Sequence, residues 1–165
     1  DHNGSRGLGD VYKRQIHNWW LSPYGTSKKV NEETAFEHQV ALRFTTVYGD
    51  GARENMFIPK LLNNKVDYVT KHTRDFIHVD DVVEAIILLM NKNIRSLKPA
   101  YDIGTGIGNQ VHTLADIAGY TDLPLVNGEE CEAQDNTANN ADLLQLGWKP
   151  TIKVDEYIIR KMVPH

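Results

Sequence analysis

Tyr24 and Lys28 have the residue types and the spacing of a proton-transfer pair. They follow Ser22 and Pro23, which favour the N-cap and the first position of a helix, so we predict a helix over residues 23–38. Side chains four positions apart share one face of a helix. A phenol has a pKa of about 10, and an adjacent ammonium group stabilises its ionised form. A positioned Tyr-Lys pair can therefore pass a proton to or from a substrate hydroxyl.

A second pair with the same spacing, Tyr157 and Lys161, shows that the motif alone is weakly specific. At average residue usage, chance gives such a pair in roughly a third of chains of this length. For the second pair we predict a core aromatic ring on an amphipathic helix, with Lys161 in solvent. The surroundings of each pair must therefore decide which one is functional.

Other chemically capable residues favour structural roles. His72 and His78 are too isolated to form a metal site, and we predict no metal; His78 is predicted to be a structural histidine. Gly104, Gly106 and Gly108 follow a short strand, as a phosphate-binding loop would, but a structural turn is the favoured interpretation.

Charge and composition exclude several classes of protein. The chain has 165 residues, with 18 Lys plus Arg against 22 Asp plus Glu and a net charge of −4, which argues against binding to nucleic acid or an anionic membrane. Cys131 is the single cysteine, so no intrachain disulfide can form, and we expect a reducing, cytoplasmic location. No apolar run reaches the roughly 18 residues of a membrane-spanning helix.

The first fifteen residues differ from the rest of the sequence. They are polar and glycine-rich, without helix or strand periodicity, and DVYKRQ at residues 10–15 resembles a translated sequencing adapter. Residues 4–9 imitate a dinucleotide-binding loop, but no buried strand precedes them and no helical stripe follows. We therefore predict a non-native leader over residues 1–15 and a native domain over residues 16–165.

Helical and strand patterns alternate along the remaining chain. The predicted helices cover residues 23–38, 54–63, 82–90, 113–118, 143–146 and 155–162, and the predicted strands cover residues 39–47, 66–70, 74–79 and 101–103. Asp81 is expected to be the N-cap of the third helix, with Glu84 as its capping-box partner. The segment 127–139 is polar and predicted to be a loop. This alternation predicts an α/β fold.

Short motifs in a fixed order carry a resemblance to a known family. They are SPYGTSK at residues 22–28, LRFTTVYG at 42–49, FIPK at 57–60, TRDFIHVDDV at 73–82, YDIGTG at 101–106 and LGWKP at 146–150. Together they resemble the extended short-chain dehydrogenase/reductase family, specifically its NAD-dependent nucleotide-sugar epimerases and dehydratases. The resemblance runs from about residue 22 to residue 157.

The resemblance implies a fold and a role for four residues. It implies the C-terminal part of a doubly wound, Rossmann-type parallel sheet, together with a small substrate-binding α/β region. Tyr24 is the implied acid-base catalyst, and Lys28 would hold the nicotinamide ribose of NAD and tune Tyr24. Thr46 is implied to contact the sugar, and Arg74 the diphosphate of a nucleotide-sugar, a role that suits the forked donors of Arg. The alternative for Arg74 is an exposed strand residue paired with an acid.

The resemblance also implies a reaction and an assembly. The reaction would be transient oxidation of the sugar by NAD, leading to epimerisation or dehydration, in a protein that is a homodimer. A reductase of the same family and a non-catalytic remnant that binds sugar nucleotides are the alternatives.

Three features depart from the family pattern. The 23 residues before Tyr24 leave no room for a glycine-rich strand-turn-helix unit, and the family's Ser or Thr ahead of the Tyr helix is missing. The stretch 129–140 lacks the second phosphate-binding Arg that the family often places there. We therefore expect a C-terminal half that is inactive on its own.

Overall fold

A computed structural model of the chain describes residues 22–36, 38–129 and 132–163. The predicted leader at residues 1–15 and Cys131 lie outside these ranges. The helices are α1 (Pro23–Glu33), α2 (Phe57–Leu62), α3 (Val79–Met90), α4 (Val111–Ile117), α5 (Ala141–Gln145) and α6 (Val154–Met162). The strands are β1 (Ala41–Phe44), β2 (Thr46–Tyr48), β3 (Val69–Thr70), β4 (Thr73–His78), β5 (Ala100–Ile103), β6 (Gly108–Gln110) and β7 (Leu125–Val126).

Parallel strand pairing dominates the sheet structure. β1 pairs with β5, β2 pairs with β4, and β3 pairs with β7, all in parallel, whereas β6 pairs antiparallel with β4. Parallel strands need long crossover connections, and helices lie between the paired strands along the chain. The predicted α/β class is confirmed.

The strand predicted over residues 39–47 is divided at Thr45. Residues before Thr45 pair with β5, whereas those after it pair with β4, so the chain changes its partner at this residue. The Thr45 amide still donates to the Ile103 carbonyl at 3.1 Å. The division follows from which strands lie alongside, and local sequence carries no signal for it.

The core lies on both sides of β4. Phe76 packs in one apolar cluster with Tyr48, Leu61 and the buried faces of α4 and α6. Ile77, the next residue, packs in a second cluster with Ile103 and the buried face of α3. Successive side chains of a strand point to opposite faces, so β4 separates the two clusters. Four of its six residues are buried, which makes it the most enclosed element of the candidate site.

Helix starts test the sequence predictions directly. The Ser22 hydroxyl accepts from the Gly25 amide at 3.2 Å with Pro23 at the first helical position, which confirms the predicted start of α1. The prediction for Asp81 is wrong, because α3 begins at Val79 and His78 is its cap, accepting from the Asp80 amide at 3.2 Å. In the described ranges, no helix is long and apolar enough to cross a membrane.

Candidate active site

α1 presents Tyr24 and Lys28 on one open face. The Lys28 ammonium lies 5.2 Å from the centre of the Tyr24 ring, as the four-residue spacing predicts. Tyr24 is 71 % exposed, an unusual state for a large aromatic ring. Both side chains line a groove between α1 and β1. The phenol and the ammonium group are therefore accessible to a ligand from the same side.

Two adjoining cavities connect Tyr24 with residues far away in the sequence. The first, which we call the Tyr24 cavity, is lined by Tyr24, Thr46 and residues 47–53. The second, the Arg74 cavity, is lined by Thr46, Arg74 and one face of α2. Their volumes, about 560 and 440 Å³, fall within the range of small-molecule sites. Thr46 lines both cavities and is therefore common to the Tyr24 side and the Arg74 side.

Arg74 is enclosed and already has partners. Its side chain is 17 % exposed, and its guanidinium donates to the Ala133 carbonyl. The Glu132 carboxylate lies 3.6 Å away, which is a distance for a charge pair rather than a hydrogen bond. Burial lowers the pKa of Arg74, whereas Glu132 and Asp135 oppose that shift. The expected alternative is thus partly present, since Arg74 is paired with an acid, yet it lines a cavity and is not an exposed strand residue.

The side chain of Asn136, in the segment after β7, forms a hydrogen-bonded bridge that holds Thr46 in place. Asn136 donates from its side-chain nitrogen to the Thr46 hydroxyl at 3.2 Å. Its side-chain oxygen accepts from the Asp75 backbone amide at 2.7 Å. The bridge joins β2, β4 and the 132–140 segment where the two cavities meet.

Asp75 is a buried carboxylate that fixes the glycine turn after β5. One oxygen accepts from the Thr105 amide at 2.9 Å and the Thr105 hydroxyl at 2.7 Å, and the other accepts from the Gly106 and Ala138 amides at 2.9 and 3.1 Å. The turn amides, which could have cradled a phosphate, are thus occupied by the protein's own carboxylate. The structural interpretation of this glycine segment is confirmed.

An ion-pair cluster fastens α1 to the sheet. Arg43 on β1 donates to the Glu32 carboxylate of α1, and its guanidinium lies 3.4 Å from Asp102 on β5. Burial lowers the pKa of Arg43, but the interactions with Glu32 and Asp102 together outweigh that effect, so the net shift is upward. Burial raises the pKa of Asp102 despite the nearby Arg43. No local sequence pattern marks this cluster, although Glu32 lies four positions after Lys28 on the same helix.

The second Tyr-Lys pair is structural, but only part of its prediction holds. Tyr157 is buried, as predicted, and its ring packs against those of Tyr48 and His78. Its hydroxyl donates to Asp50 at 2.8 Å, and Lys161 forms an ion pair with the same carboxylate at 2.8 Å. Lys161 is therefore paired, and not simply in solvent as predicted. The enclosed ring leaves Tyr24 as the accessible phenol of the two pairs.

His72 and His78 are buried beside protein groups, although Nε2 of His72 has no hydrogen-bond partner among the residues that the structure describes. His78 is buried at the start of α3, in agreement with its predicted structural role. His72 is buried too, with Nδ1 3.0 Å from the Thr70 hydroxyl, and burial lowers the pKa of its ring. Within the described part of the chain, no three His, Cys, Asp or Glu side chains are placed to hold a metal ion.

Sequence comparison identifies relatives of the chain. Residues 19–104 match the sequence profile of the NAD dependent epimerase/dehydratase family. The chain is 32 % identical over 165 aligned residues to the CDP-abequose synthase of Salmonella typhimurium, a match that covers 84 % of this chain and 54 % of that protein. It is also 32 % identical to a putative UDP-glucose 4-epimerase of Methanocaldococcus jannaschii, over 85 % of this chain and 52 % of that protein.

Comparison with solved structures gives relatives of the same kind as the sequence comparison. The crystal structure of a UDP-glucose 4-epimerase from Thermotoga maritima with UDP-glucose superposes with a TM-score of 0.67 at 25 % identity, covering 86 % of this chain and 52 % of that one. The chain therefore spans about half the length of the relatives that it matches.

Proposed function

Because the chain belongs to the NAD dependent epimerase/dehydratase family, we propose that it supplies the proton-transfer pair and the diphosphate site of a nucleotide-sugar epimerase or dehydratase. The observation that carries this proposal is the shared border of the two cavities at Thr46, with Tyr24 in one cavity and Arg74 in the other. These three residues are separated by up to fifty positions in sequence, yet they line two cavities that share Thr46.

Tyr24 is the group that moves the proton in this proposal. Its phenol oxygen takes the proton of a sugar hydroxyl as the carbon beneath is oxidised, and returns it when that carbon is reduced. Lys28 places its positive charge 5.2 Å from the centre of the Tyr24 ring. If hydride returns to the opposite face of the oxidised carbon, the configuration of that carbon is inverted. Loss of water from the oxidised sugar instead gives a dehydrated product.

The donors on α1 suit the cofactor that the family name implies. The Lys28 ammonium and the Tyr24 hydroxyl line an open groove, where they can bind the hydroxyl groups of a ribose. NAD, when bound, would accept a hydride from the sugar carbon and give it back. Lys28 and Tyr24 would hold its nicotinamide ribose.

Arg74 and Thr46 would hold the substrate. The Arg74 guanidinium provides a permanent positive charge with forked donors, which match the oxygens of a nucleoside diphosphate. Thr46, kept in place by Asn136, offers a hydroxyl between this charge and Tyr24, where the sugar ring would lie.

Turnover tests the role of Tyr24. The chain is joined to a dinucleotide-binding half taken from a relative, and UDP-, CDP- and dTDP-sugars are incubated with NAD and separated by chromatography. We expect turnover in the joined protein and none in the 165-residue chain. Tyr24→Phe in the joined protein should abolish turnover because it removes the proton-transfer oxygen. NAD binding should weaken only modestly, because Lys28 and the joined dinucleotide-binding half still hold the cofactor.

Tyr157→Phe is the matched control, since it removes the hydroxyl of the other Tyr-Lys pair. It should keep most of the turnover. A joined protein indifferent to Tyr24→Phe would contradict the acid-base assignment, and sugar-nucleotide binding without any turnover would favour a non-catalytic binding protein. We propose a homodimer for the joined protein, which sedimentation velocity can test.

A further inference from the structure

Glu132 lies beside Arg74 in the wall of the Arg74 cavity. Its carboxylate is 3.6 Å from the Arg74 guanidinium and 3.5 Å from Nδ1 of His72. Its side chain is 48 % exposed and lines the Arg74 cavity, so it faces the same space as the guanidinium. Glu132 is thus both a partner of the buried cation and a part of the cavity wall.

The other charged side chains lining the Arg74 cavity are more exposed to solvent than Arg74. Lys60 and Lys65 line the same cavity, but both are exposed, and Lys65 lies 3.8 Å from Glu54 at the surface. Asp67 is the other acid lining the cavity, and it is exposed. Of the described acids lining this cavity, only Glu132 is ion-paired with Arg74.

We propose that Glu132 is an affinity-determining residue, an internal carboxylate that a substrate diphosphate must displace from Arg74. The inference rests on the proposed role of Arg74 as the diphosphate ligand. When the diphosphate binds, its oxygens take the place of the Glu132 carboxylate beside the guanidinium, and the half-exposed Glu132 side chain turns to solvent.

Electrostatics give the direction in which the Glu132 charge changes the affinity for a diphosphate. A diphosphate on Arg74 with Glu132 unmoved would place like charges within a few ångströms of each other, a repulsive arrangement where solvent screening is reduced. The free chain, by contrast, is stabilised by the Arg74–Glu132 pair. Both effects oppose ligand binding, so removing the charge of Glu132 should strengthen it, on the order of three- to tenfold for a partly exposed pair.

Isothermal titration of the 165-residue chain tests the inference. UDP and inorganic pyrophosphate are the probes, and uridine is the uncharged comparison. Glu132→Gln should strengthen binding of both anions by roughly three- to tenfold and leave uridine binding unchanged. The control is Glu129→Gln, which makes the same charge change at an exposed residue of the same segment, and it should alter anion binding by less than about twofold.

Arg74→Gln separates this inference from the proposed function. If Arg74→Gln weakens anion binding while Glu132→Gln fails to strengthen it, the displacement inference is overturned and the diphosphate site stands. If Arg74→Gln leaves UDP and pyrophosphate binding unchanged, or if neither anion binds any variant, the diphosphate site itself is refuted. A Glu132→Gln variant that strengthens uridine as much as UDP would indicate a rearranged cavity, and would also overturn the inference.

Discussion

Replacing Asp75 by Asn should destabilise the fold although it hardly changes the size of the side chain. The carboxylate accepts four hydrogen bonds, from the Thr105 amide and hydroxyl on one oxygen and from the Gly106 and Ala138 amides on the other. The best placement of the Asn nitrogen is toward Thr105, whose hydroxyl can rotate and become an acceptor. The Thr105 amide then loses its acceptor in a partly buried site.

The size of the expected loss in the free energy of unfolding follows from these hydrogen bonds. An unsatisfied buried amide costs about 1–3 kcal/mol, and each remaining bond weakens by roughly 1 kcal/mol when its acceptor becomes neutral. Relief from burying a charge offsets part of this sum, so we expect a net loss of about 3 kcal/mol in the free energy of unfolding. Urea unfolding followed by circular dichroism measures it. Asp116→Asn, the same change at an exposed helix position, should stay within about 0.5 kcal/mol of the parent chain. An Asp75→Asn chain as stable as the control would refute this account of the turn.

Three further outcomes can be measured. Gly128→Ala would place a methyl group inside the His72 ring, so the thermal midpoint should fall, and adding His72→Ala should recover part of the loss. Asp81→Ala removes three hydrogen bonds to residues 151–152 and should lower the free energy of unfolding by about 3 kcal/mol in urea, whereas no change would contradict the anchoring role. Burial, followed by the bond to Asp50, raises the pKa of Tyr157 to about 12. The protonated phenol is therefore favoured in the folded state, so its stabilising contribution should be complete below pH 10 and decline as the pH rises toward 12. Phenolate absorbance is followed against pH in the parent chain and in Tyr157→Phe. A phenol that ionises near pH 10 in the parent but is missing from the variant would contradict the raised pKa of Tyr157.

Local signals in the sequence were sufficient for the helix that carries the Tyr-Lys pair. Ser22 and Pro23 start α1 as predicted, and the four-residue spacing of Tyr24 and Lys28 gives the observed proximity of ring and ammonium. The end of α1 was less predictable. The helix stops at Glu33 and not near residue 38, and no glycine or proline marks the stop.

Predictions failed where the outcome depends on distant parts of the chain. Asp81 has the sequence features of an N-cap, but its carboxylate accepts from the Thr151 and Ile152 amides, seventy residues later. Thr45 divides a strand because two different partners lie beside it. Glu132 meets Arg74 only because the chain returns to β4 after β7, and nothing local marks it as a neighbour.

The two halves of the candidate site differ in how firmly they are attached. Gly25 is the single buried residue of α1, whereas β4, which carries Arg74, buries four of its six residues in the core. Detaching α1 would break the Arg43–Glu32 ion pair but expose little apolar surface, so its local opening should need less free energy than global unfolding. Amide hydrogens of α1 are then expected to exchange with solvent early, and those of β4 late. The diphosphate end of the site would be ordered before any ligand arrives, and the proton-transfer end would gain order as ligand binds.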